Sequence, residues 1–254
     1  DGMSITQKRH GGRISVSKDM RMFDRYDQIQ EICQDNTQFA FDRIDQSQAD
    51  VILNGFTGTS YTDVYGFTQS NLAADAVVAF SASHTNNQNA GTARNLIRNA
   101  AGTANPALDR AAIIKARSDA RTNRDPNSAN RPILLDRLIV SAVNEDLAER
   151  TVYSSGVQGT PNLNPLKGKI SNILVWSRLD LRGSDSTDTS AYWFLASSRY
   201  SKKTLKSPFA QKPQMDAPAM VEDSKNWEYS LDAYYTMGSL WPFASRPSFP
   251  TDHR

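Results

Sequence analysis

The spacing of apolar and polar positions divides the chain into a helical first half and a strand-rich second half. GRISVS places Ile14 and Val16 between polar neighbours, the period of two that marks a half-buried strand. The Gly11-Gly12 pair in front of it allows a sharp bend. From Asp19 to Asn54 the period changes. Met22, Tyr26, Ile29, Cys33, Ala40, Ile44 and Val51 recur at steps of three, four or their sums, while Asp24, Asp27, Asp35, Asp42, Asp45 and Gln48 occupy other faces. No Pro or Gly interrupts the run, so the pattern predicts one helix with Asp19 as N-cap and Gly55 as a left-handed stop. Such a helix would be about 50 Å long at 1.5 Å per residue.

Periodicity then fragments. Residues 56–103 read as a structured loop with short extended pieces, punctuated by Gly58 and Gly66 and passing into an Asn-rich stretch at Thr85–Thr92. A second helix is predicted at about 106–124, with Asn105 as cap, Pro106 at the first helical position, and an end before Asp125-Pro126. RPILLDRLIVSA reads as a buried strand, NEDLAERTVYSS as a short helix capped by Asn144, and GVQGTPNLNPLKGK as a turn-rich loop. KISNILVWSRLDL, TSAYWFLASS and KNWEYSLDAYYTMGSLW give three further strands, and the proline-bearing tail SRPSFPTDHR an irregular end. Helices first and strands later make an α+β rather than a βαβ pattern.

Composition narrows the function. The 254 residues suffice for one large domain or two closely connected ones. Charge is almost balanced, 29 basic against 27 acidic residues, which is not the signature of a dedicated nucleic-acid binder. Mean hydropathy of -0.56 is on the polar side for a compact globule and suits a subunit that gives loops and edges to neighbours. A lone cysteine, Cys33, leaves no partner for an intrachain disulfide. No apolar run reaches eighteen residues, so no membrane span is expected, and the opening residues lack the apolar core of a signal peptide.

Catalytic readings find little support. His10, His84 and His253 are the only histidines and no two have metal-ligand spacing. His84 lies among hydroxyls in SASHTNN, yet a triad needs a base oriented by a carboxylate, and nothing in the sequence locates one. It reads as a loop hydrogen-bonding residue; a hydrolase using His84 is the rival. Cys33 falls on the apolar helix face and reads as a small buried hydrophobe. Phosphate-cradling glycine motifs are absent. GSDSTDTS (183–190) reads as a solvated loop, the other reading being a weak cation site. Arg94, Arg98, Arg110, Lys115, Arg117, Arg121 and Arg124 concentrate positive charge: a solvated helix face, or a surface meeting acidic neighbours or nucleic acid. Trp227, Tyr229, Tyr234, Tyr235, Trp241 and Phe243 read as core or interface packing before a ligand platform. No residue is assigned a catalytic, cofactor-binding or metal-binding role, and no cofactor is expected.

The order of these strings carries a family resemblance. GRISVSKDMRMFDRYDQIQEI through ILNGFTGTSYTDVYGF resembles the body of the major head subunits of Mu-like prophages, tailed-bacteriophage major capsid proteins. FSASHTNN is similar to that family's Phe-x-x-x-His-x-Asn stretch, NPALDRAAI to the start of its second helix, and RPILLDRLIV to the strand opening its apical domain. LNPLKGKISNILVWSRL, SAYWFLASS and KNWEYSLDAYYTMGSLWPFA resemble its later strands. The resemblance covers nearly the whole chain and implies the Hong Kong 97-type capsid fold with a spine helix. It implies a peripheral domain over 1–128 with the spine at about 19–55, an apical domain over 129–225, and a closing strand and tail over 226–254. Almost nothing precedes the strand at Ile14, so the N-terminal arm and most of the extended loop of that fold are expected to lie outside these residues. The implied function is a structural shell subunit that assembles with itself into pentamers and hexamers around double-stranded DNA. Portal, scaffold, protease and decoration proteins are the further partners it implies, with no membrane, in a virion assembled in the host cytoplasm. The alternatives are an encapsulin-like nanocompartment of the same fold and a decoration or scaffold protein.

Overall fold

The computed structural model describes residues 6–24, 27–56, 58–63, 65–73, 75–85, 92–99, 101–102, 104–122, 132–156, 162–183, 185–200, 205–239 and 245–248. In chain order, β1 (Lys8–Val16) leads to α1 (Lys18–Met22) and α2 (Gln28–Asn54). Short strands β2 (Ser60–Thr62), β3 (Thr68–Ser70), β4 (His84–Thr85) and β5 (Thr92–Ala93) precede α3 (Arg110–Arg121). Then follow β6 (Arg137–Val140), α4 (Glu145–Tyr153), β7 (Asn172–Val175), β8 (Trp193–Ala196) and β9 (Leu205–Lys206). β10 (Phe209–Met215), β11 (Ala219–Met220), β12 (Trp227–Tyr235), β13 (Gly238–Ser239) and β14 (Ser245–Ser248) complete the order. The chain folds as two compact units, one of residues 4–48 and 207–237, the other of 1–3, 49–206 and 238–254.

In the first unit β1 lies antiparallel to β12 over all nine of its residues, from Lys8 opposite Tyr235 to Val16 opposite Trp227. Two diagonal ion pairs support that register, Arg9 to Asp232 at 2.8 Å and Arg13 to Glu228 at 3.1 Å. The bend that Gly11-Gly12 would allow does not occur, because both glycines are paired inside the strand. Gly11 is there for close approach: a Cβ would stand 2.7 Å from Oδ1 of Asp232. β10 flanks β12 on the other side with two register irregularities, and Pro213 lies in this edge strand, where a missing N–H is tolerated.

The predicted single helix is two helices. Ser17, not Asp19, caps α1, its Oγ accepting from the Met20 amide at 3.1 Å. The chain leaves the helix at Phe23, passes through Asp27 at a φ of 53°, and re-enters it at Gln28. Asp24 begins α2, its two carboxylate oxygens accepting from the amides of Gln28 and Ile29. A capping carboxylate satisfies helix N–H groups as well as a preceding turn does, so Asp24 allows a break that periodicity cannot register. α2 is 27 residues, about 40 Å. Gly55 is no left-handed stop. Its Cβ would meet the Phe80 ring at 2.7 Å, so the position needs the smallest residue for packing.

The second unit is built on a sheet of order β14-β8-β6-β7. β6 and β7 are parallel and joined through α4, one βαβ unit inside the α+β arrangement. β8 is buried at all four residues, as a strand covered on both faces must be. Trp193 and Leu195 face a core with Ile113, Leu138, Val140 and Val152; Phe194 faces a second with Leu53, Phe80 and Leu179. β14 runs antiparallel to β8 through the predicted irregular tail, Ser245 opposite Ala196 and Ser248 opposite Trp193. Asp109, not Asn105, caps α3: its Oδ1 accepts from Ala112 at 2.5 Å, and Asn105 instead takes a φ of 53°. Asn144 does precede α4, but its side chain donates to the Ser190 carbonyl at 2.6 Å rather than capping the helix. The predicted helix end at Asp125-Pro126 lies outside the described residues.

Candidate functional site

The side chains singled out for chemistry are placed one by one in structural roles. His84 is fully buried, its Nδ1 2.8 Å from Oδ2 of Asp75. A carboxylate therefore does orient this imidazole, nine residues upstream, where the sequence offered no signal for it. Ser81 and Ser83, the nearest hydroxyls in sequence, bond each other at 3.4 Å, and Ser81 Oγ accepts the Ser83 amide. The buried pair ties the β4 segment to the turn that carries Asp75.

Cys33 is half-buried on α2, and burial pushes its thiol up, away from the thiolate that nucleophilic chemistry needs. In the 183–190 loop each carboxylate closes its own turn: Asp185 Oδ1 accepts from Thr187 at 3.1 Å and Asp188 Oδ1 from Ser190 at 2.9 Å. Burial works against the Asp185 carboxylate, but bonds from Thr187 and the nearby Arg182 outweigh it and pull its pKa below the ordinary value. Among the described residues no three His, Cys, Asp or Glu side chains gather as a metal site would require.

A polar cluster that the sequence reading missed fixes that loop. Asp50 and Asn54, one turn apart near the end of α2, are both buried. Asp50 Oδ1 accepts from the Gly183 amide at 2.7 Å, and Arg182 donates to Asn54 Oδ1 at 3.2 Å. Arg182 Nε also stands 3.2 Å from Asp185. The legible signal was an Asp and an Asn four residues apart inside the apolar run ADVILNG. Asn164 acts likewise at the end of α4, its amide donating to the Thr151 carbonyl at 2.9 Å and its Oδ1 accepting from the Leu166 amide at 3.0 Å.

The basic stretch is not a uniform solvated face. Arg98 and Arg121 are exposed, Arg94, Arg110 and Lys115 half-buried, and Arg117 buried, while Arg124 lies outside the described residues. Burial lowers the pKa of Arg94 and Arg117, helped by Arg98 and Arg121 respectively. Lys115 is paired with Asp119 one turn on. The aromatics of β12 serve packing. Tyr235 stacks on His10 with centroids 4.2 Å apart, and the Arg21 guanidinium lies 3.7 Å above the Trp227 ring. Trp241 and Phe243 fall outside the described residues.

Several large apolar side chains are exposed as well. Met20, Met22 and Phe23 on and after α1, and Ile32, Phe39 and Phe41 along α2, are all solvent-facing, as are Val143 and Leu163 in the other unit. Exposed large apolar side chains in such number mark surfaces that meet other protein.

Comparison with known proteins agrees with that. The profile of the phage capsid protein family matches residues 2–244. The chain belongs to this family. Its fold is that of the Hong Kong 97-type capsid proteins. The mature capsid of bacteriophage PhiM1 is similar at a TM-score of 0.51 and 16% identity, over 98% of this chain and 72% of that one. The capsid of Myoviridae phage XM1 is similar at 0.50 and 9% identity, over 96% and 73%. No curated protein matches the chain. A phage major capsid protein is a structural subunit.

Proposed function

We propose that this capsid protein tiles a closed icosahedral shell, many copies joining through heterologous contacts that close into rings of five and six around double-stranded DNA. The observation that carries the reading is the exposed apolar series on α1 and α2, Met20, Met22, Phe23, Ile32 and Phe39, which a lone subunit leaves in water. Assembly in the host cytoplasm into the virion follows from the same reading. The likeness to Mu-like prophage heads supports a peripheral domain over 1–128, an apical domain over 129–225 and a closing strand and tail over 226–254. Exposed Arg98 and Arg121 suit a face that meets DNA by screened, sequence-independent attraction. Portal, scaffold, protease and decoration proteins are the further partners of such a shell.

Sedimentation of the purified chain, together with any segment that precedes these residues, tests this under assembly conditions. Megadalton particles of continuous lattice in electron micrographs are expected, containing nucleic acid when isolated from producing cells. A strictly monomeric species would overturn the shell reading. Particles filled with a cargo enzyme and free of DNA would overturn the DNA part and leave a nanocompartment.

A further inference from the structure

Helix α3 and the turn at 165–169 border an open pocket of about 190 Å³ whose lining includes Ile114, Arg117, Ser118, Arg121, Leu166 and Lys169. Ile114, Arg117, Ser118 and Arg121 recur at steps of three and four and so share one helix face. Arg117 is only 7% exposed, and its Nε has no hydrogen-bond partner. Among the described residues neither Arg117, Arg121 nor Lys169 has an ion pair. Asp119 pairs with Lys115, and Asp136, whose charge favours the Arg117 cation, accepts with both carboxylate oxygens from the amide and hydroxyl of Ser198 and not from Arg117. Helix-dipole complementarity accounts for Arg121 in the last turn of α3, but not for a buried guanidinium in the middle of the helix.

A buried donor without a partner is unfavourable unless something supplies an acceptor. We infer that this pocket is a binding site for a phosphate-type oxyanion. Two guanidinium forks offer paired N–H donors to a tetrahedral anion, Lys169 adds a point charge, and Ser118 can donate a hydroxyl proton. Ile114 and Leu166 place apolar walls beside these donors. Its volume is below that of pockets for drug-sized ligands, which suits a single phosphate group. That group is either free inorganic phosphate or one phosphate of a nucleic-acid backbone. The site's chemistry does not depend on the shell reading.

Titration calorimetry of the full chain with inorganic phosphate, against chloride at the same ionic strength, tests the site. Saturable binding at one site is expected, weakened tenfold or more by Arg121→Gln and by Lys169→Gln, retained by Lys169→Arg, and unchanged by Arg137→Gln, an exposed cation on β6 outside the pocket. Arg117→Met provides a separate reading: it removes the buried charge, so the variant keeps its thermal midpoint without phosphate and loses the phosphate-dependent rise seen in the parent chain. The source is decided by a short DNA duplex. If Arg121→Gln and Lys169→Gln weaken duplex binding in parallel with phosphate, the site takes the backbone; if duplex binding is unchanged while phosphate binding is lost, it takes the free ion. No preference for phosphate over chloride, or phosphate binding that survives the double variant Arg121→Gln/Lys169→Gln, would overturn the proposal.

Discussion

Position 55 concentrates the packing argument in one residue. The Phe80 ring is buried between Phe56 and Phe194, with centroids 5.0 and 6.2 Å away, and the Phe80 amide donates to the Gly55 carbonyl at 2.9 Å. A Cβ on Gly55 would enter that ring at 2.7 Å, and the ring is itself buried. Gly55→Ala is expected to destabilise by about 1–3 kcal/mol in equilibrium denaturation, the usual range for overpacking. Phe80→Leu in the same chain should recover part of that loss, a coupling that an intrinsic helix-propensity effect would not produce. At position 185 the argument concerns protons. Because the Asp185 carboxylate is held below its ordinary pKa by Thr187 and Arg182, its contribution is present above the unfolded pKa, about 4. It is lost as pH falls through the depressed folded value. Acid titration of stability below pH 4 should therefore be shallower in Asp185→Asn than in the parent chain; identical slopes would remove Asp185 from the account. The sequence marked Gly55, though as a left-handed stop, and read 183–190 as a solvated loop. It was silent on Phe80 and Arg182 because those contacts are made across gaps of 25 and 128 residues that no local pattern encodes.

Among the elements, caps explain most differences between pattern and structure. Ser17, Asp24 and Asp109 begin α1, α2 and α3 where periodicity pointed to Asp19 and Asn105. Hydrophobic spacing finds the face of a helix but not its ends, which are decided by which side-chain oxygen first reaches a free N–H. Asp109→Ala removes the acceptor for the Ala112 amide and is expected to cost about 0.5–2 kcal/mol. Asn105→Ala, which leaves that cap intact, should not unravel the first turn of α3 by hydrogen exchange. Equal loss of protection from both substitutions would return the cap to Asn105. Strands were more legible than helix ends. β6, β7, β8 and β12 fall within runs that alternation or apolar content had marked, and β1 extends the marked GRISVS run back to Lys8. β10 and β14 escaped notice because each carries a proline, Pro213 and Pro247, which from sequence alone argues against a strand and in the fold lies in the outermost strand of its sheet.

For the whole molecule, burial is unevenly divided, and this bears on assembly. The unit of residues 49–206 and 238–254 holds both hydrophobic clusters, with Trp193, Leu138, Ile113 and Leu53 almost fully enclosed. In the unit of residues 4–48 and 207–237 the buried apolar side chains are few, among them Val16, Ile44, Ala233 and Tyr235, while Met22, Phe23, Ile32 and Phe39 face solvent. Local stability follows buried apolar contact, so α1 and the first half of α2 belong to the low-stability end of the free subunit. Neighbouring copies in a shell would supply the missing contacts. Hydrogen exchange should therefore show amides of residues 28–41 exchanging well before those of β6 and β8 in the unassembled chain. In assembled shells the same amides should slow by tenfold or more, and β6 and β8 should change little. If assembly slowed both regions equally, the thin core of this unit would have no special part in shell contacts. If residues 28–41 exchanged as slowly in the free chain as in the shell, the exposed series on α2 would not be the surface that assembly covers.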